Sequence, residues 1–362
     1  MKKIERILII RLSSLGDIIL TTPILKAMRK KFPEAEIYYL TKKDYVELLD
    51  TNPYINKIIN IDTYDGVMGV ISLIKAISSI RKLKIDLVVD MHFRHWSYFR
   101  TALWNLFLVN CIGASIKIKS YKSPFRHKQR TRVLQTHVVD LHFQALKNIG
   151  ISTKENHPEL FLSPKEKNWA DYFLNENGFN KKDRLIGISP TASWRHKEWG
   201  GDNFQCVCES LIKNLGVKLI FFGKKNELSL INLITQNIKS DKMIYATGLS
   251  LKEVASLIDR CELVLCNDSG IMHMASSLAR PVVAIFGPTH PSLGFYPLDK
   301  NRIILHADTS CSPCSRWGEK KCKYKQQLCF SNLSTELVFN KIKESLLNSK
   351  TESSKTEGNY LN

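Results

Sequence analysis

Residues 262–287, ELVLCNDSGIMHMASSLARPVVAIFG, constrain the fold of this chain more than any other segment. A short apolar run, Leu263–Cys266, stops at Asn267-Asp268-Ser269-Gly270. A helical pattern follows, then Arg280-Pro281 and a second apolar run, Val282–Phe286, closing on Gly287. Strand, tight turn, helix and strand in that order make a parallel βαβ unit. Its first turn places backbone N–H groups and the Ser269 hydroxyl at a helix N-terminus, where an anion is favoured. Open α/β sheets bind ligands at such turns, outside the carboxyl ends of their strands. The unit therefore implies a phosphate-bearing ligand, with a nucleotide as the leading candidate.

The same alternation extends along the chain. An apolar strand, 7–10, leads through a loop, 11–16, to a helix over 17–31. Strands over 36–40, 58–61 and 87–89 alternate with helical stretches over 44–49 and 70–83. Residues 114–136 lack apolar periodicity and are read as a mobile loop, after which 136–149 return to helical spacing. Around Leu162-Ser163-Pro164 the pattern restarts, with Ser163 as a helix cap, Pro164 at the first position and Glu166 at the third. Strands over 185–189, 218–222 and 243–246, and helices over 203–214, 227–238 and 251–260, then lead into the βαβ unit. At 362 residues the chain is too long for one ordinary core. The reading is two similarly sized α/β domains, each with a mostly parallel sheet, 1–163 and 164–334. A final amphipathic helix over 335–348 and a polar, disordered tail over 349–362 complete it.

Charge adds a second constraint. Of the net +19, residues 1–163 contribute +12, from 26 basic against 14 acidic side chains, and the remainder +7. The stretch 91–139 has no acidic residue and nine basic ones, among them Arg94, Arg126 and Arg130, with Trp96, Tyr98, Phe99, Trp104 and Phe107 interleaved at its start. It reads either as a solvated basic face or as a surface for a polyanion: nucleic acid, anionic lipid or acidic glycolipid. The basic start of the chain is not a secretory signal, because Arg11 and Asp17 interrupt its apolar stretch. No run of about 18 apolar residues marks a membrane-spanning helix. Nine cysteines without a signal point to a reducing cytoplasm.

Three loops carry candidate chemistry. Arg11-Leu12-Ser13-Ser14-Leu15-Gly16-Asp17 lacks both the dinucleotide and the Walker A glycine patterns. Asp17 there either caps the following helix or accepts a proton from a substrate hydroxyl. Pro190-Thr191-Ala192-Ser193-Trp194-Arg195-His196-Lys197-Glu198-Trp199 follows a strand and suits a loop closing on phosphates, with a lysine to neutralise charge on a departing diphosphate. Glu227 ends another strand and either holds a ribose diol or compensates a helix terminus. Cys311, Cys314, Cys322 and Cys329 could bind a structural zinc, but the second pair is more widely spaced than in ribbon sites, and free thiols are the preferred reading. No other cluster suggests a catalytic metal.

Taken together, R-L-S-S-L-G-D-I-I-L-T-T-P at 11–23, P-T-A-S-W-R-H-K-E-W at 190–199 and N-D-S-G-I-M-H-M-A-S-S-L-A-R-P at 267–281 resemble glycosyltransferase family 9, the ADP-heptose:lipopolysaccharide heptosyltransferases. The resemblance covers about residues 5–345. It implies a GT-B fold: two facing, doubly wound Rossmann-like domains with a cleft between them, the first for the acceptor, the second for the sugar nucleotide, and a last helix crossing back. It implies a metal-independent, inverting transfer from ADP-heptose to the inner core of lipopolysaccharide or lipooligosaccharide. Asp17 matches the general base and Lys197 the lysine that steadies the diphosphate. Thr191, Asp268, Ser269, Gly270 and His273 fall in the donor site, with Glu227 as the ribose ligand. Ser13, Ser14, Gly16, Arg94, Arg126 and Arg130 are assigned to the acceptor, a lipid A–core molecule at the inner face of the cytoplasmic membrane. The alternatives are a family member with another sugar nucleotide or acceptor glycan and, less favoured, a basic nucleic-acid-binding protein, for which no recognised motif is present.

Overall fold

The computed structural model describes residues 3–62, 67–92, 109–119, 136–152, 156–238, 240–324 and 326–357. Its contacts divide the chain into two compact units, Met1–Phe161 and Leu162–Asn362.

The first unit is a five-stranded parallel sheet in the order β3-β2-β1-β4-β5. Its strands are β1 (Arg6–Ile10), β2 (Glu36–Lys42), β3 (Lys57–Ile61), β4 (Leu87–Asp90) and β5 (Ile116–Lys119). Ile7, Leu8 and Ile9 of the central strand are fully buried, as a parallel strand covered on both faces must be. On one face Leu8, Ile10 and Leu40 pack with Leu73, Ile77 and Ile80 of helix α3 (Val67–Lys82).

Two expectations for this unit need correction. The helix expected over 17–31 is two helices, α1 (Leu15–Ile19) and α2 (Thr22–Lys31). Pro23 lies in the first turn of α2, and a continuous helix would set its ring against the carbonyl of Ile19. The expected loop 114–136 begins with a strand: β5 lies parallel to β4, with Val89 opposite Ile118. Ile-Lys-Ile-Lys alternates with period two, and its lysines fit an edge strand. The unit's last helix is α4 (Val138–Leu146).

The second unit has six parallel strands in the order β11-β10-β9-β6-β7-β8. They are β6 (Leu185–Ser189), β7 (Lys218–Gly223), β8 (Met243–Thr247), β9 (Leu263–Asn267), β10 (Val282–Phe286) and β11 (Ile303–His306). Counted within the unit this is 6-5-4-1-2-3, the doubly wound Rossmann order. Helix α5 (Pro164–Glu176) starts at Ser163, whose N–H donates to Glu166 Oε2 at 2.7 Å in a capping box. Next come α6 (Gly201–Leu215), α7 (Leu228–Thr235), α8 (Leu251–Ile258), α9 (Gly270–Ser277), α10 (Leu328–Ser331) and α11 (Thr335–Glu357). Ile188, Phe221, Leu265 and Ile285 share one core with Phe204 and Leu211 of α6 and with Val338, Ile342 and Leu346 of α11.

β11 has no counterpart among the expected strands, because three apolar residues and a histidine without flanking alternation are a weak signal. Helix α11 also runs on to Glu357, where a disordered tail was expected from 349. The added residues include lysine and glutamate, which favour helix, and no proline or glycine interrupts them before Gly358.

At the end of β10 a Cβ on Gly287 would lie 2.2 Å from Phe330 Cζ and 2.6 Å from Cε1. Phe330 therefore packs directly on the backbone. We predict that Gly287→Ala lowers the stability of the second unit by about 1–3 kcal/mol, a typical overpacking cost, measured by urea unfolding. An unchanged midpoint would show that Phe330 can move aside.

Candidate functional site

In each unit the strand order reverses between two central strands, β1 and β4 in the first, β6 and β9 in the second. The loops leaving those strands diverge and open a crevice at the carboxyl edge of the sheet. The candidate residues gather in these loops.

In the first unit the loop after β1 is held on three sides. The Arg11 N–H donates to Leu40 O at 3.1 Å, extending the β1–β2 register by one residue. The Arg11 side chain, buried, donates from Nη1 to Met91 O at 2.6 Å and pairs through Nη2 with Asp17 Oδ2 at 2.8 Å. The Leu12 N–H donates to His92 Nε2 at 3.0 Å, and the other ring nitrogen lies 2.7 Å from Asp90 Oδ1. Because Nε2 accepts, Nδ1 carries the proton and donates it to the buried Asp90. The Asp90–His92 pair thus ties the loop after β1 to the end of β4.

Of the two roles considered for Asp17, the structure shows the helix cap. It is the third residue of a capping box on α1, where its Oδ2 accepts from the Ser14 N–H at 3.1 Å and the Ser14 hydroxyl at 2.8 Å. Oδ2 also meets Arg11, so one oxygen takes all three contacts. Among the described residues, Oδ1 has no hydrogen bond. Burial raises the carboxyl pKa, but the Arg11 guanidinium and the two Ser14 donors outweigh it and hold Asp17 below its ordinary value. Nearby, burial and the Arg11 charge push the His142 imidazole down to about 3, so this ring stays neutral. Ser14 is exposed, Ser13 half-buried and Gly16 buried in the same loop. Arg94, Arg126 and Arg130 lie outside the described residues.

In the second unit one side chain organises the crevice. Asn267, fully buried at the end of β9, donates from Nδ2 to Pro190 O at 2.8 Å and accepts the Trp199 N–H at 3.1 Å. It therefore clamps both ends of the loop 190–199 after β6. Trp199 is anchored in turn by its indole N–H to Leu333 O at 3.1 Å. Held this way, Lys197 reaches Asp268 Oδ2 at 2.7 Å, with both side chains largely buried. The same Asp268 oxygen accepts the Thr289 hydroxyl at 2.7 Å. Gly318, at φ +86°, lies along the lysine stem, and a Cβ there would come within 2.2 Å of Lys197 Cγ.

Ser269 is the N-cap of α9, in extended conformation, yet its hydroxyl makes no capping hydrogen bond. The oxygen is buried and has no partner among the described residues. An unsatisfied buried hydroxyl at a helix N-terminus calls for a ligand acceptor. Gly270 opens the helix and His273 is buried within it. After β7, Glu227 Oε2 accepts the Lys224 N–H at 2.8 Å and the buried Thr191 hydroxyl at 2.9 Å, leaving Oε1 without a hydrogen bond among the described residues. Both roles weighed for Glu227 are thus compatible with its position. Glu198 Oε1 accepts the Ala192 N–H at 3.2 Å, and burial raises its carboxyl against the opposing pull of that bond and of Arg195.

Arg11, Asp90, His92, Asn267 and Thr289 were not singled out from the sequence. Asn267 sits inside the N-D-S-G run and was within reach, but the others depend on strands brought together by folding. The four cysteines of the C-terminal cluster form no disulfide among the described residues. Burial, reinforced by the charges of the other cysteines, raises Cys314 and pushes Cys329 up to about 12. Among the described residues the group whose ligand atoms all lie within 4.8 Å of one another is His290, His306 and Asp308, not these thiols. No helix among the described residues is long and apolar enough to cross a membrane.

The lowered pKa of Asp17 has a signed consequence for stability. Its contribution is fully present above the unfolded value, near 3.8, and is lost as pH falls through the lower folded value. Asp17→Asn is therefore expected to be less stable than the parent at pH 7, with the gap closing below pH 3.8. Urea unfolding across that range measures it, and a gap independent of pH would count against the Arg11–Asp17 pairing.

Comparison with known proteins places these loops in a family context. The family model described as glycosyltransferase family 9 (heptosyltransferase) matches residues 78–325. A curated relative, lipopolysaccharide heptosyltransferase 3 of Escherichia coli K12, is 28% identical over 294 residues, 76% of this chain and 80% of its own length. The crystal structure of a family 9 glycosyltransferase from Veillonella parvula aligns with a TM-score of 0.79 at 27% identity, covering 95% of this chain and 97% of that one. The ADP-heptose lipopolysaccharide heptosyltransferase II of E. coli aligns with a TM-score of 0.72 at 20% identity, over 95% and 99% of the two chains, and shares the GT-B fold class.

Proposed function

The chain belongs to glycosyltransferase family 9 (heptosyltransferase), and we propose that it moves a heptose from ADP-heptose to the inner core of lipopolysaccharide or lipooligosaccharide. The observation that carries the donor half of this reading is the Ser269 hydroxyl, buried and unpartnered at the start of α9, in the same turn as the Lys197–Asp268 pair. A hydroxyl, the amides of a helix N-terminus and a lysine ammonium suit the diphosphate of a nucleotide sugar. Glu227, with one carboxylate oxygen uncommitted, is the ligand for the ribose diol, beside Thr191. His273 belongs to the same donor group.

The acceptor half of the reading rests on Asp17. Its Oδ2 is occupied by Arg11 and Ser14, so Oδ1 is the oxygen that takes the proton. The acceptor sugar hydroxyl loses its proton to Asp17 as its oxygen attacks the anomeric carbon. The bond from that carbon to the diphosphate breaks in the same step, and ADP leaves with the electron pair. A single displacement of this kind inverts the anomeric centre. Lys197 and the Ser269 hydroxyl stabilise the charge growing on the leaving phosphate, work that needs no metal ion. Ser13, Ser14 and Gly16 border the acceptor hydroxyl. The acid-free stretch 91–139, with Arg94, Arg126 and Arg130, meets the phosphates and acidic sugars of an acceptor carried at the cytoplasmic membrane surface.

Transfer is tested by mass spectrometry of products formed from ADP-heptose and truncated core acceptors. Asp17→Ala is expected to abolish product while ADP still protects the protein from thermal unfolding. Retained turnover would remove Asp17 from the role of base. Lys197→Ala is expected to lower kcat by roughly 100-fold or more, as loss of one charge-stabilising group does, and an unchanged kcat would overturn its role. Protection by a different sugar nucleotide, with none from ADP-heptose, would reassign the donor within the family.

A further inference from the structure

The structure assigns a binding site for a divalent transition-metal ion of the zinc type to His290, His306 and Asp308, a set of side chains apart from the transfer chemistry. His306 ends β11, and the parallel register puts it opposite Phe286, the last residue of β10. His290 comes four residues after Phe286, at the start of a short 3₁₀ turn, Pro291–Leu293. The sheet therefore delivers two imidazoles side by side at its carboxyl edge, with ring centroids 4.5 Å apart and planes at 72°. Asp308, two residues beyond β11, brings one oxygen to both: Oδ1 lies 3.3 Å from His306 Nδ1 and 3.9 Å from His290 Nε2.

Three features of this trio fit metal ligation. First, the spacing is close to what a shared ion requires: at metal–ligand bonds of about 2.0–2.1 Å, neighbouring tetrahedral ligands lie about 3.3–3.4 Å apart. The His306–Asp308 distance already matches, and the 3.9 Å gap closes with a shift of about half an ångström. Asp308 is 91% exposed and can make that shift, while His306 is held in β11 and His290 at the start of the 3₁₀ turn. Second, His306 Nδ1 is a buried nitrogen that makes no hydrogen bond among the described residues, and it faces the carboxylate oxygen. A buried nitrogen lone pair without a donor is what a cation would satisfy. Third, His290 has a partner for its other nitrogen: Nδ1 lies 2.7 Å from Ser292 Oγ. In the free protein Nδ1 accepts the Ser292 N–H at 3.1 Å. These contacts hold the ring with Nε2 3.9 Å from Asp308 Oδ1, as outer-shell partners hold ligating histidines.

Two imidazoles and one carboxylate select zinc, nickel, cobalt or iron over magnesium or calcium. Three protein ligands leave a fourth position for water. The ion would tie the loop after β10 to the end of β11. Thr289, directly before His290, supports Asp268, so the clamp lies next to the donor turn and stiffens it without entering the reaction.

Co²⁺ titration of tag-free, chelator-treated protein under reducing conditions tests the site, with zinc competition as a second reading. One equivalent is expected, with the visible absorption of nitrogen and oxygen ligation and no sulfur charge-transfer band in the near ultraviolet. Asp308→Asn and His306→Ala are expected to abolish that equivalent, and Asp308 is exposed enough for its variant to fold. Ser292→Ala is expected to weaken binding by about 10–100-fold, as loss of an outer-shell partner does. Cys311→Ser with Cys314→Ser should leave the equivalent in place. Failure to bind, binding unaffected by Asp308→Asn and His306→Ala, or a spectrum with thiolate bands lost in the cysteine variant would each overturn the proposal.

Discussion

Reversal of strand order in an all-parallel sheet is the constraint from which the rest of this structure follows. A parallel strand must be reached by a crossover, and the crossovers on either side of the first strand of a sheet run in opposite directions. The loops after β1 and β4, and after β6 and β9, are therefore pulled apart, leaving backbone amides and carbonyls at the sheet edge without neighbouring chain. Side chains must satisfy them, which is why polar residues are buried there. Arg11 and His92 do this in the first unit, and Asn267 in the second.

Each crevice also contains a buried or nearly buried cation–carboxylate pair, Arg11–Asp17 at 2.8 Å and Lys197–Asp268 at 2.7 Å. Such pairs contribute little net stability, because desolvating two charges offsets their attraction. Their value lies in placement. Arg11 holds Asp17 ionised and orients it with one oxygen occupied, while Asp268 holds the Lys197 ammonium at the start of α9. In the second unit the shared partner Thr289 links this arrangement to the loop that bears His290.

Much of this architecture was legible from the chain. The strand–turn–helix–strand pattern around Asp268 marked a parallel sheet, and the turn at Ser269 appears as the start of a helix with its hydroxyl unsatisfied. Elements failed to show where local pattern was weak or was overruled by neighbours. β5 alternates isoleucine with lysine and becomes a strand because β4 offers it a free edge. β11 is four residues long and pairs only because β10 lies beside it. The break between α1 and α2 follows from Pro23, a local signal that was present but not applied.

The sequence by itself determined the class of fold, the two-unit repeat of strand and helix, and the loops in which Asp17, Lys197, Glu227 and Asp268 reside. Periodicity and turn chemistry are local properties, and those loops follow directly from them. Only the tertiary structure decided which side chains meet. The Asp90–His92 pair beneath Leu12, the Asn267 clamp on Pro190 and Trp199, and the approach of His290 to His306 and Asp308 each require folding to bring separated segments together. The same holds for the use of Asp17, whose capping role is written in its spacing from Ser14. Its pairing with Arg11, and the oxygen this leaves uncommitted, depend on how the loop after β1 folds back against β4.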